Sequence, residues 1–161
     1  IVPRIYDLAK EDIPITFALS LHAPTDEERK ELMPVAHQYT LAETLDACRE
    51  YFRQTGRRVT FEYSLVKGKN DTEEQARKLA RQLAALLNGF PCHVNLIPIN
   101  PVEEREYERS DSDSVEKFKS TLAKYHINAT IRKSMGSDID AACGQLRRKY
   151  AFHHQEDSHA F

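Results

Sequence analysis

Apolar and polar positions along this chain follow two different periods, in alternating blocks. Short apolar-rich runs stand at Ile13 to Leu21, Val59 to Val66, His93 to Ile99 and Ala129 to Lys133. Between them the apolar positions recur at three- and four-residue spacing, which predicts amphipathic helices. Leu41, Leu45, Cys48 and Phe52 form one stripe, and Ala76, Leu79, Ala80, Leu83 and Leu87 form a second. Val115, Phe118, Leu122 and Tyr125 form a third. Pro34 splits the first helical region into pieces at 25–32 and 41–54, because proline cannot continue a helix. Thr40 with Glu43 reads as a capping box, Asn70-Asp71-Thr72 as a cap, and Asp113 with Glu116 as another. Gly56 and Asn88-Gly89 read as helix stops.

Strands alternating with helices predict an α/β fold with a parallel sheet. Four βα units are half of an eight-fold barrel. The barrel half is expected over 1–150, with a polar tail at 151–161 that frays. In half a barrel the first strand has a free edge. The inner face, with Phe17, Leu19, Phe61 and Leu96 among its candidates, lacks an opposing wall. Self-association or marginal stability is the expectation, unless residues 1–12 or the tail fold over that edge.

Composition narrows the class. Hydrophobics at 40% and charges at 30% describe an ordinary soluble globular protein. No apolar run has membrane-spanning length. Three cysteines, at 48, 92 and 143, make no CxxC pair, which fits a reducing cytoplasm and supplies no metal site of its own. A net charge of −2 gives no global case for nucleic-acid binding. The chain begins at Ile1 rather than Met, so a piece of a longer chain is expected.

Candidate chemistry sits where strands end. Ser20-Leu21-His22 closes the first run and Asn100, between Pro98 and Pro101, closes the third. Ligands bind at such ends in α/β folds; each can equally be a plain turn. Cys48 and Cys92 read as packing residues. Cys143 differs, because Ala142 and Gly144 leave its sulfur uncovered and Gly136, Ser137 and Asp138 form a turn before it. Arg132, Lys133, Arg147, Arg148 and Lys149 bracket it and favour a thiolate, while Asp138 and Asp140 oppose one. A solvated charged surface is the simpler reading of those bases. His153-His154 and His159 lie in the tail, with no scaffold to make them ligands.

Three segments together are more specific than any alone. They are Ala18 to Pro24 with Asp26-Glu27, Asn95 to Pro101, and Arg132-Lys133 followed by Asp138 to Leu146. This combination resembles the C-terminal half of the RlmN/Cfr family of radical-SAM adenosine methyltransferases, the RlmN branch above all. The resemblance implies half of an open radical-SAM partial barrel. It implies methylation of an adenosine at C2 in 23S ribosomal RNA, and in transfer RNA, through a methylated Cys143. One S-adenosylmethionine would methylate that sulfur. A second, cleaved at a [4Fe-4S] cluster by a reductant, would supply the radical that activates the S-methyl group. A radical is needed because C2 of adenine is not nucleophilic. Ser20, Leu21, His22 and Asn100 match the family's S-adenosylmethionine contacts. The CxxxCxxC cluster motif, the Gly-rich cofactor segment and the resolving cysteine of the family are not among these 161 residues, so the chain alone is expected to be inactive. A noncatalytic βα binding module is the alternative.

Overall fold

In a computed structural model, residues 1–11, 13–100 and 107–132 are described. The elements run α1 (Val2–Lys10), β1 (Ala18–Ser20), α2 (Asp26–Leu32), a 3₁₀ turn (Pro34–His37), α3 (Leu41–Thr55), β2 (Val59–Leu65), α4 (Glu73–Leu87), β3 (Cys92–Pro98), α5 (Ser112–Lys124) and β4 (Asn128–Ile131). The strands form one parallel sheet in the order β1-β2-β3-β4. This is the expected α/β pattern, with each strand beside its successor.

Local chemistry explains most boundaries. Thr40 and Thr72 both close full capping boxes, with Glu43 and Gln75 as partners. Gly56 ends α3 at φ 66 and Asn88 ends α4 at φ 49, both in the left-handed region that stops helices. The cap of α5 is Asp111, whose carboxylate accepts from the Ser114 backbone N–H at 2.8 Å. Asp113 with Glu116 is therefore not the cap; the helix begins one residue before Asp113.

One expectation about the first segment needs correction. The run from Ile13 supplies only three strand residues, Ala18–Ser20. Ile13 and Ile15 are exposed, and Pro14 has no N–H to give a ladder. Within residues 1–12, read with the tail as a possible cover for the β1 edge, Val2–Lys10 form a helix that buries Val2, Ile5 and Ala9, packs on α3 and lines a cavity together with Phe17 to Ser20. Among the described residues, β1 is paired only with β2.

The helices bury one face of the sheet. Leu19, Phe61, Tyr63, Val94, Leu96 and Ala129 join Leu45, Tyr51, Leu79, Leu83, Phe118 and Leu122 in a single core. Rings of Tyr63 and Phe118 meet at 5.1 Å, as do those of Phe17 and Tyr51. The expected apolar inner face is thus reversed, because Leu19, Phe61 and Leu96 point into the helix layer. Strand side chains alternate between faces, so the opposite face carries Ser20, Glu62, Asn95 and Thr130. None of these four is buried, and a polar face needs no apolar wall to shield it.

Phe118 is fully buried against Tyr63. Phe118→Ala should cost about 3–5 kcal/mol, read as a lower urea midpoint, whereas Thr72→Ala at the start of α4 should cost about 1 kcal/mol.

Candidate functional site

The C-terminal ends of β1 and β2 are tied by one buried side chain. Asn70 Nδ2 donates to the carbonyls of His22 and Ser64, each at 2.7 Å, and its Oδ1 accepts from the Val66 N–H at 2.7 Å. Its backbone carbonyl accepts from the Tyr63 hydroxyl at 3.0 Å. His22 holds φ 61, a conformation that side-chain-bearing residues rarely adopt. The Asn70 bond to its carbonyl holds that turn. Nearby, Arg29 is buried, and its Nε donates to the Leu21 carbonyl at 3.3 Å. Asp26, 3.7 Å from the Arg29 guanidinium, accepts from the Leu41 N–H at 2.6 Å. The loop after β1 is therefore fixed both to β2 and to the start of α3.

This bracing sets the chemistry of His22. Its Nδ1 accepts from the Ser64 N–H at 3.0 Å, so the ring proton belongs on Nε2 and the imidazole is neutral. Burial lowers its pKa, Glu62 opposes the shift, and Arg29 adds to it. Ser20 and His22 border a cavity of about 650 Å³ along β1, with Arg29, Phe17, Met33 and Tyr39 in its wall. Leu21, also expected at a ligand, is fully buried; its N–H donates to the Glu62 carbonyl and its carbonyl accepts from the Ala23 N–H and Arg29 Nε.

Asn100 follows β3, beyond Ile99, whose N–H donates to the Leu65 carbonyl. Its Oδ1 is buried and has no hydrogen-bond partner among the described residues. A buried acceptor without a donor is costly, and a polar ligand at the strand ends fits that need. The sequence-selected Ser20, His22 and Asn100 therefore all lie at or just past the C-terminal ends of β1 and β3. Cys143, with Lys133 and the bases at 147–149, lies outside the described residues.

A thiolate-bound cluster does not fit the described residues. Burial pushes the Cys48 thiol up to about 12 and the Cys92 thiol up to about 11. Neither is a ready thiolate. No group of three or more His, Cys, Asp or Glu side chains is placed to hold a metal ion among the described residues.

Sequence reasoning did not single out Asn70, Arg29 or the polar row Ser20, Glu62, Asn95 and Thr130 as a unit. The row had a readable signal. Thr60, Glu62 and Ser64 alternate with Val59, Phe61, Tyr63 and Leu65, a period of two that marks one polar strand face. Asn70 was legible only as part of the Asn70-Asp71-Thr72 cap, because its three partners come together only in the fold.

Known proteins match nearly the whole chain. A probable dual-specificity RNA methyltransferase RlmN from Clostridioides difficile is 60% identical over 150 residues, covering 93% of this chain and 43% of that protein. Its namesake from Clostridium acetobutylicum is 58% identical, covering 93% and 42%. Over the part it spans, this chain is similar to the RlmN proteins. It spans less than half the length of these RlmN relatives. A radical SAM methyltransferase from Sphaerobacter thermophilus superposes with a TM-score of 0.83 at 46% identity, over 90% of this chain and 41% of that one. A domain of a pyruvate-formate lyase-activating enzyme from Bacteroides vulgatus gives a TM-score of 0.60 at 16% identity, over 81% of this chain and 74% of that domain, and so shares the fold alone. No protein-family model matches the chain. The RlmN kinship and the radical-SAM neighbour bear out the α/β fold and the resemblance read from the three segments. No helix among the described residues is long and apolar enough to cross a membrane.

Two measurements test the bracing of this RlmN-like site. Asn70→Ala leaves the Val66 N–H and two carbonyls without partners and should cost about 2–4 kcal/mol in urea unfolding. The second is pH. His22 has a folded pKa below its ordinary 6.5, so the unfolded chain takes up its proton first as pH falls. The stability His22 contributes is fully present above pH 6.5 and is lost as pH falls through the depressed folded value. His93, also lowered, chiefly by burial with Arg58 adding, acts in the same direction. The urea midpoint should drop below pH 6.5, and His22→Asn, which keeps an acceptor near Nδ1, should flatten that drop.

Proposed function

We propose that this chain is the cofactor-and-cysteine half of a radical-SAM RNA methyltransferase. Its reaction is methylation of C2 of an adenosine in 23S ribosomal RNA, and in transfer RNA, through a methylated Cys143. The kinship with RlmN proteins over 93% of the chain carries the reading. S-adenosylmethionine would be held by Ser20, His22 and Asn100, with the buried Leu21 anchoring the backbone between Ser20 and His22. When bound, it supplies the methyl group and the radical chemistry that C2 of adenine requires.

The chain's own residues do the positioning. The neutral His22 offers Nε2–H as a donor that stays neutral at physiological pH. The Ser20 hydroxyl both donates and accepts. The buried Asn100 Oδ1 offers an acceptor without a competing partner among the described residues. Arg29 and Asn70 keep the loop carrying His22 from relaxing. The cluster ligands and the resolving cysteine would come from outside these 161 residues, and the chain by itself is inactive in this reading. The cytoplasm is the compartment that RNA substrates and reduced thiols suit.

The test uses the complete protein in which this chain lies, made and assayed anaerobically with 23S ribosomal RNA and transfer RNA. The expected product is 2-methyladenosine, detected by mass spectrometry of digested RNA. Cys143→Ala should abolish it while cluster absorbance is unchanged. Methylation retained by Cys143→Ala would remove Cys143 from the reaction. No 2-methyladenosine from the wild type would favour a noncatalytic binding module.

A further inference from the structure

The face of the sheet that no helix covers among the described residues carries one continuous polar row that the strand-end contacts leave unexplained. Ser20 pairs in register with Glu62, Glu62 with Asn95, and Asn95 with Thr130. Adjacent strands lie about 4.8 Å apart, so the four side chains stand side by side on one face. Glu62 is half-buried there, and no Lys or Arg pairs with it among the described residues.

The hydrogen bonds of the row have only one consistent direction. An ionised Glu62 can only accept, so the Asn95 amide faces it with Nδ2, at 3.2 Å from Oε1 and 3.4 Å from Oε2. Asn95 Oδ1 then faces Thr130, whose hydroxyl donates to it at 3.3 Å. That uses the one Thr130 proton, so the 2.9 Å contact with His93 Nε2 must be donated by the histidine. The chain His93 to Thr130 to Asn95 ends on the carboxylate and holds it from one side. The remaining lone pairs of both Glu62 oxygens are left for a ligand.

We propose that Glu62 is a binding residue for the vicinal hydroxyls of a ribonucleoside ribose, and that Asn95, Thr130 and His93 position its carboxylate. This rests on the reading that Ser20 contacts a nucleoside cofactor. Ser20 and Glu62 are register partners on the same face, so a nucleoside touching one lies within reach of the other. A carboxylate accepts from ribose hydroxyls in nucleotide sites, and a cis-diol presents two donors to two oxygens. The neighbours of Glu62 in the row are neutral hydroxyl and amide groups.

The test is isothermal titration of the complete protein in which this chain lies. The probes are S-adenosylhomocysteine and its 2′,3′-dideoxy analogue. Wild type should prefer the parent compound by roughly tenfold to a hundredfold, the range for hydrogen bonds to a charged group. Glu62→Gln should weaken the parent and bring the two affinities together. Thr130→Val should reduce the preference in the same direction, and Thr130→Ser should restore it, with thermal melts checking that each variant folds. A preference unchanged in Glu62→Gln, or equal weakening of both probes, overturns the ribose assignment. If Ser20→Ala weakens binding while Glu62→Gln does not, only the Glu62 assignment falls. If the wild type does not bind S-adenosylhomocysteine, the cofactor reading fails and takes the Glu62 assignment with it.

Discussion

The geometry of the strand ends depends on the buried amide of Asn70. Three backbone groups, on His22, Ser64 and Val66, would otherwise stand without partners where β1 and β2 leave the sheet. Buried backbone groups without partners are costly, so a single side chain that satisfies all three selects one path for both loops. It also holds His22 in the left-handed conformation that brings its ring under the Ser64 N–H. The neutral imidazole and the path of the loop towards α2 follow from that arrangement.

The sheet divides labour between its two faces. On one, aliphatic and aromatic side chains interlock with α3, α4 and α5 and supply the stability. On the other, the row from Glu62 through Asn95 to Thr130 forms a hydrogen-bonded polar floor beside Ser20. Because strand residues alternate, a shift of register by one would exchange the two faces. The apolar core thus sets the position of every polar group on the open face. The chemistry of this chain sits on a surface that its core keeps in register.

RlmN kinship and physical reading meet at the strand ends. Parallel α/β folds expose the C-terminal ends of strands to ligands, and there the structure has Ser20, His22 and Asn100. Arg29 illustrates how the loop is supported. A buried guanidinium bonded to the Leu21 carbonyl and paired with Asp26 fastens the turn from beneath, and Asp26 in turn caps the start of α3 through the Leu41 N–H.

The sequence by itself determined the elements and their order. Helical stripes such as Leu79, Ala80 and Leu83, capping boxes at Thr40 and Thr72, and the left-handed stops at Gly56 and Asn88 are local signals, written within a few residues of where they act. The strand-end residues were legible for the same reason, since a strand's end is a local feature. Which face of each strand became core was decided only by tertiary structure. The alternation of Phe61 with Glu62 marks an apolar and a polar face, but not that the apolar one meets the helix layer rather than the inside of a barrel. The helix at Val2–Lys10 packs on α3, while the brief β1 follows Pro14, which has no N–H to give a ladder. The Asn70 knot and the row through Glu62, Asn95 and Thr130 join residues from separate strands and loops. Their hydrogen bonds exist only once the parallel register has formed, and so no local reading of the chain contains them.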